Sequence, residues 1–217
     1  MGCDIHLYVE VRENGEWKSA DRWYNNPEES SLTEEFYDGR NYDLFGILAN
    51  VRNGRGFAGI KTGEGFNPIS EPRGLPPDVS SLVKAVSDRW NGDGHSHSYF
   101  TVAELLAYDW TQVSCLQGWV NGPTFAEWNR WGRSHGQSPK TCCGMVTGPN
   151  IEHISTKEME KRLRETEDNA SLFHTYCLAE WTEPYYKAAG SFISETMPRL
   201  WHLGKPEDVR IVFWFDN

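Results

Sequence analysis

The chain has 217 residues, with 31 acidic against 21 basic side chains and a formal net charge of −10 at pH 7. That balance excludes a non-specific binder of long nucleic acid, which requires a strongly basic footprint. Aromatic residues make up 13% of the chain, enough core material to exclude disorder over most of its length.

The length favours a single globular domain spanning residues 1–217, large enough to need no disulfide staples. No apolar run approaches the ~20 residues of a membrane span, and Met1-Gly2-Cys3-Asp4 opens into polar alternation without a basic leader. A soluble, cytoplasmic protein with no membrane partner is expected. The five cysteines, at positions 3, 115, 142, 143 and 177, include no Cys-x-x-Cys pair and are expected to be reduced and mostly buried.

Cys3 to Val11 alternates apolar and polar residues, which predicts a first strand with Asp4, His6, Tyr8 and Glu10 on one face. Asn14-Gly15 supplies a tight hairpin turn, and Trp17 begins the return strand. Residues 20 to 40, with Asn25-Asn26-Pro27 and Glu28-Glu29-Ser30-Ser31, read as a long surface loop. Asn41 to Arg52 has helical spacing, and a glycine-rich stretch from 51 to 75 follows, carrying Arg52, Arg55, Lys61 and Arg73. Val79, Leu82, Val83, Val86 and Trp90 mark the clearest helix, with Asp78 as its cap. Asn91 to Ser98 reads as a loop. Thr101-Val102-Ala103-Glu104 is a capping box that opens a short helix.

Beyond position 111 the pattern predicts a strand over Gln112 to Val120, a short aromatic helix over Thr124 to Trp131 and a loop from Ser134 to Pro149. A charged surface helix capped by Ser155 and a strand over Phe173 to Trp181 come next. A helix from Tyr185 to Leu200, interrupted at Pro198, precedes a strongly apolar strand from Val209 to Phe215. Strands at both ends predict an α+β fold: a mixed sheet that includes the N- and C-terminal strands, with several short helices and long loops.

Three constellations can carry chemistry. Asp4 and His6 lie about 7 Å apart along one strand face, suited to a metal or to a hydroxyl; the alternative is that they bond to each other on a solvated strand. Asp93-Gly94-His95-Ser96-His97-Ser98 offers two imidazoles at i and i+2, which together with Asp4 and His6 would form a nitrogen and oxygen site for zinc or manganese. The same His and Ser side chains can instead contact phosphate or ribose, or simply belong to a polar loop. In the 51–75 stretch, exposed backbone N–H groups with Arg52, Arg55, Lys61 and Arg73 suit anionic oxygens, although the string matches neither a phosphate loop of the Gly-Lys-Ser/Thr type nor a dinucleotide fingerprint. Around the His segment, Trp90, Tyr99, Phe100, Tyr108, Trp110 and Trp119 offer flat rings for a nucleobase, or core packing.

Met1-Gly2-Cys3-Asp4-Ile5-His6-Leu7-Tyr8-Val9-Glu10, Arg40-Asn41-Tyr42-Asp43-Leu44-Phe45, Ile69-Ser70-Glu71-Pro72-Arg73-Gly74-Leu75-Pro76 and Asp93-Gly94-His95-Ser96-His97-Ser98 resemble a family of small proteins encoded by bacteriophages and their hosts, generally without an assigned activity. The resemblance covers the first half of the chain well and the second half loosely. It implies a phage protein acting in the host cytoplasm against host defence. Compact phage proteins with nucleotide-sized pockets either sequester immune signals, such as cyclic ADP-ribose isomers and cyclic dinucleotides, or cleave them.

Two functions follow as expectations. In the first, the protein sequesters a small phosphorylated nucleotide-type ligand without a cofactor and without turnover. Arg52, Arg55, Lys61 and Arg73 pair its phosphates, while Asp4, His6, Asp93, His95, Ser96, His97, Ser98, Tyr99 and Trp110 hold the remainder. In the second, Asp4, His6, Asp93, His95 and His97 hold zinc or manganese and the protein is a hydrolase or phosphodiesterase. Either is compatible with a homo-oligomer.

Overall fold

The computed structural model describes residues 2–23 and 32–216. Of the surface loop predicted over residues 20–40, residues 24–31 lie outside the described residues, and the flanking parts hold two short paired strands, Arg22–Trp23 and Leu32–Glu34, that the sequence reading did not expect. In chain order the strands are β1 (Asp4–Glu13), β2 (Glu16–Ser19), β3 (Arg22–Trp23), β4 (Leu32–Glu34), β5 (His95–Thr101), β6 (Val113–Asn121), β7 (Glu152–Ile154), β8 (Thr175–Pro184) and β9 (Val209–Asp216). The α-helices are α1 (Tyr42–Ala49), α2 (Ser81–Arg89), α3 (Val102–Ala107), α4 (Gly122–Glu127), α5 (Thr156–Glu165), α6 (Tyr185–Ala188) and α7 (Met197–Trp201). The fold is α+β, and among the described residues no helix is long and apolar enough to cross a membrane.

The chain forms two compact units, one of residues 1–53, 67–111 and 186–217, the other of residues 54–66 and 112–185. In the first, a four-stranded sheet runs in the order β2-β1-β9-β5. Its pairings are all antiparallel, and the two terminal strands lie side by side with Asp4 opposite Asp216 and His6 opposite Trp214. Asn14 and Gly15, at φ 52° and 88°, close the hairpin between β1 and β2. Every residue of β9 from Val209 to Phe215 is buried, because α2 packs Val83 and Val86 against Tyr8, Val212 and Trp214 on one face while Phe45 of α1 meets Phe215 on the other.

Three further boundaries differ from expectation. Residues 95–98 are strand rather than loop: they pair with β9 through a bulge in which Ser96 takes φ 53°. The cap of α2 is Ser80, whose side chain accepts from Val83 N. Asp78 is occupied elsewhere, accepting from the buried Arg210 at 2.7 Å and from the Trp17 indole at 3.0 Å. The helical stretch after Tyr185 breaks at Gly190, at φ 56°, whereas Pro198 lies within a helical run continuous from Ser191 to Trp201, directly after a π-turn over Phe192–Thr196. The capping box at Thr101 is present as read.

In the second unit β8 pairs with β6 antiparallel and with β7 in parallel. Helices α4 and α5 close over this sheet with Phe125, Trp128 and Met159, packing on Val120, Cys177 and Ala179. Helix α5 is therefore not wholly a surface element, since Met159 is fully buried. The cysteines are all free, but only Cys3 and Cys177 are buried; Cys142 and Cys143 are exposed.

Candidate functional site

The first unit brings together the polar face of β1, the end of β9 and the start of β5: His6 and His97 stand with Trp214 on one face of the sheet, while His95, paired opposite Phe215 with its ring 6.1 Å from that phenyl, belongs to the other. Alternation along β1 sends Asp4 and His6 to the face shared with Trp214 and Asp216 of β9. Asp4 is held by Arg40 through bonds of 2.6 and 2.5 Å, and that guanidinium keeps its carboxyl below the usual range. His6 Nε2 lies 3.2 Å from Asp216 Oδ2, and its ring sits 4.0 Å from Trp90 and 6.1 Å from Trp214.

His97 stacks on Trp214 at 5.4 Å, with its Nε2 3.0 Å from Ser87 Oγ. His95 places Nδ1 3.0 Å from Ser96 Oγ, while its buried Nε2 has no hydrogen-bond partner. Burial holds both imidazoles below the ordinary histidine value. For His97 the neighbouring His95 adds to the effect. For His95, Asp216 opposes it and Arg52 reinforces it. Both rings are thus neutral near pH 7 and can donate or accept a hydrogen bond.

A cleft of about 380 Å³ opens beside this cluster, lined by Ser87, Asp88, Trp90, Asn91, Gly94 and His97 among others. Gly74 N donates to His97 O at 2.8 Å and ties another lining residue to β5. Gly94 allows a close approach: a Cβ there would stand 3.0 Å from Trp90 Cβ, 3.2 Å from Trp214 Cδ1 and 3.5 Å from His97 Cε1, so that these side chains would have to give way. Directly behind it, the fully buried Trp214 indole N–H has no hydrogen-bond partner.

The other predicted residues are placed differently. Asp93 is exposed in the turn after α2, its backbone N–H donating to Trp90 O at 2.7 Å. Among the described residues no three His, Cys, Asp or Glu side chains are grouped to hold a metal ion, so the five-residue metal constellation does not assemble. Ser98 is buried and accepts from Arg73 N at 3.3 Å. Tyr99 packs under α2, and Trp110 donates its indole N–H to Leu105 O at 2.7 Å beside Tyr108 and Phe192.

The cations of the glycine-rich stretch divide between the two units. Arg73 is paired with Glu104 at 2.6 Å and lies 4.4 Å over the Phe100 ring; Arg52 donates to Gly2 O at 3.2 Å. Arg55 and Lys61 belong to the second unit, where residues 54–65 line the edge of β6. There the amides are spent within the fold: Glu64 N donates to Cys115 O at 2.9 Å, Thr62 N to Gly54 O at 2.9 Å and Gly56 N to Ile60 O at 2.7 Å. Glycine at 63 permits the approach, because a Cβ there would lie 2.5 Å from Cys115 O. The segment covers an edge strand and leaves these amides no capacity for an anion.

Sequence reasoning did not single out Asp216, Trp214, Ser87 or Arg40. The signal for the first two was present in the pairing of the terminal strands, since setting Asp4 opposite the end of β9 brings both onto the face of His6. The chain matches no protein-family model, and neither the curated proteins nor the solved structures include a match.

Proposed function

We propose that the protein binds a small nucleoside-type molecule at the Trp90–His97 cleft and holds it without turnover. The observation that carries this reading is the lining itself. Indole and neutral imidazole rings offer a planar base its stacking surface. Asn91 offers a donor and an acceptor to ring nitrogens and ribose hydroxyls, and Ser87, bonded to His97, and Asp88, bonded to Lys84 at 2.9 and 3.0 Å, add oxygens with remaining acceptor capacity. No lysine or arginine lines the cleft among the described residues, so a ligand's phosphates stay toward solvent and recognition falls on base and sugar. The resemblance of the chain to small phage- and host-encoded proteins adds the biological class: a cyclic nucleotide or ADP-ribose-type immune signal, withdrawn from its receptor by sequestration.

Binding is favoured over hydrolysis because Asp93 stands apart from the imidazoles and the Cys3 thiol, buried, is pushed up and away from a reactive thiolate. Tryptophan fluorescence titrated with adenosine, guanosine, cyclic mononucleotides and cyclic ADP-ribose tests the proposal. It requires a saturable change with at least one of them in the unmodified chain and its loss in Trp90→Ala. A flat titration with all of them overturns it.

A further inference from the structure

A second site lies in the other unit, around a helical segment that widens at its end. Helix α4 runs into a π-turn at Trp128–Gly132, a geometry concentrated at functional sites. The wide turn sets two tryptophans differently: Trp128 is 5% exposed and Trp131 60% exposed. Trp128 is locked by its indole N–H on Gln137 O at 2.7 Å, and Arg133 caps its ring at 5.5 Å while pairing with Glu160 at 3.2 Å. Trp131 is backed by His135, stacked at 4.1 Å, which fixes its plane while leaving most of the indole to solvent.

Trp128 and Gln137 are shared by two cavities of about 260 and 300 Å³. Trp181, Glu180 and Arg133 complete the first, and Trp131, Glu127 and Lys140 the second. Each cavity therefore carries one carboxylate and one cation. A phosphate would meet Glu127 or Glu180, and a cationic ligand would meet Arg133 or Lys140, so neither charge is rewarded. A neutral polyhydroxyl ligand satisfies both: its hydroxyls donate to the carboxylates and accept from the cations, and the C–H face of a ring lies on the exposed Trp131 indole. Two such cavities sharing a tryptophan wall suit consecutive rings of one chain.

We infer that the second unit carries a binding site for a neutral oligosaccharide, with Trp131 as the stacking platform and Glu127, Gln137 and Lys140 as hydroxyl partners. The test is isothermal titration of the full chain with cellotriose, maltotriose and triacetylchitotriose, with adenosine monophosphate as the charged comparison. At least one trisaccharide binds, and Trp131→Ala weakens it about tenfold with an unchanged circular dichroism spectrum. Glu127→Gln weakens it as well, and Trp90→Ala, in the other unit, leaves it unaltered. Should Trp131→Ala lose its fold, Lys140→Ala, at an exposed position, supplies the same comparison. Binding of none of the three sugars overturns the inference, as does undiminished sugar binding by folded Trp131→Ala or displacement of the sugar by adenosine monophosphate.

Discussion

His6 and Asp216 stand 210 positions apart in the chain and meet at 3.2 Å between Nε2 and Oδ2, near the start of β1 and at the end of β9. The contact follows from antiparallel pairing of the two terminal strands. It also places a carboxylate beside His95, whose proton affinity it raises against the effect of burial. Asp216→Asn removes that charge, so the His95 titration midpoint moves further down. Imidazole NMR titration of the variant reads this; an unchanged or raised midpoint refutes the electrostatic arrangement described here.

Salt separates the two ways in which a nucleotide can be recognised. With no lysine or arginine lining the Trp90–His97 cleft, affinity should change by less than about twofold between low and high ionic strength. A ligand held by an arginine cradle would weaken several-fold over the same range. Titration of the best-binding nucleotide at both ionic strengths decides between them.

Asp21 adds a pH dependence of stability. It is 7% exposed, accepts from Val9 N at 2.9 Å and from Ser19 at 3.1 Å, and leaves its second oxygen buried and without a partner. Burial pushes its carboxyl up to about 7. The folded state therefore holds this proton more tightly than the unfolded chain, where the group titrates at about 3.9. The contribution is fully present below that value and is lost as pH rises through about 7. The half-buried His95 and His97 act in the opposite sense. Their depressed values are worth stability above about pH 6.5, which is lost as pH falls below it. Urea unfolding at about pH 5 and about pH 8 should show that Asp21→Asn removes the alkaline part of this loss; equal pH dependence in both proteins contradicts the assignment.

Gly63→Ala tests the reading of the glycine-rich segment as an edge cover. The added methyl meets the Cys115 carbonyl, so the substitution should destabilise the second unit by about 2 kcal/mol. Nucleoside binding in the first unit should be unchanged. A variant of undiminished stability that lost nucleotide affinity would restore the anion-loop interpretation.

The strands and helices that obey simple periodicity were legible in the sequence: β1, the Asn14-Gly15 hairpin, α2, the Thr101 capping box and β9. What escaped depends on partners distant in sequence. His95 to Ser98 looks like loop because glycine and histidine carry no strand period, yet pairing with β9 makes it a strand and the positive φ of Ser96 absorbs the misfit. The stretch from 51 to 75 shows cations and glycines but not that Glu104 neutralises Arg73 or that Cys115 and Gly54 accept the loop amides. Histidines 6, 95 and 97 were identified from spacing alone. The contacts of His6 and His97 with Trp90 and Trp214, and of His95 with Phe215, were not, because ring stacking across a sheet leaves no local pattern.

A Trp90–His97 cleft that holds a nucleoside-type ligand without transforming it, as proposed, must retain that ligand and release it unchanged. Incubation with a panel of cyclic nucleotides and ADP-ribose derivatives, with and without chelator, followed by filtration, heat release and chromatography, measures holding and cutting together. One ligand is expected to be retained and released intact, equally with chelator present, and retention to be lost in Trp90→Ala and His97→Ala. Recovery of breakdown products alone, or retention undiminished in both variants, would contradict it.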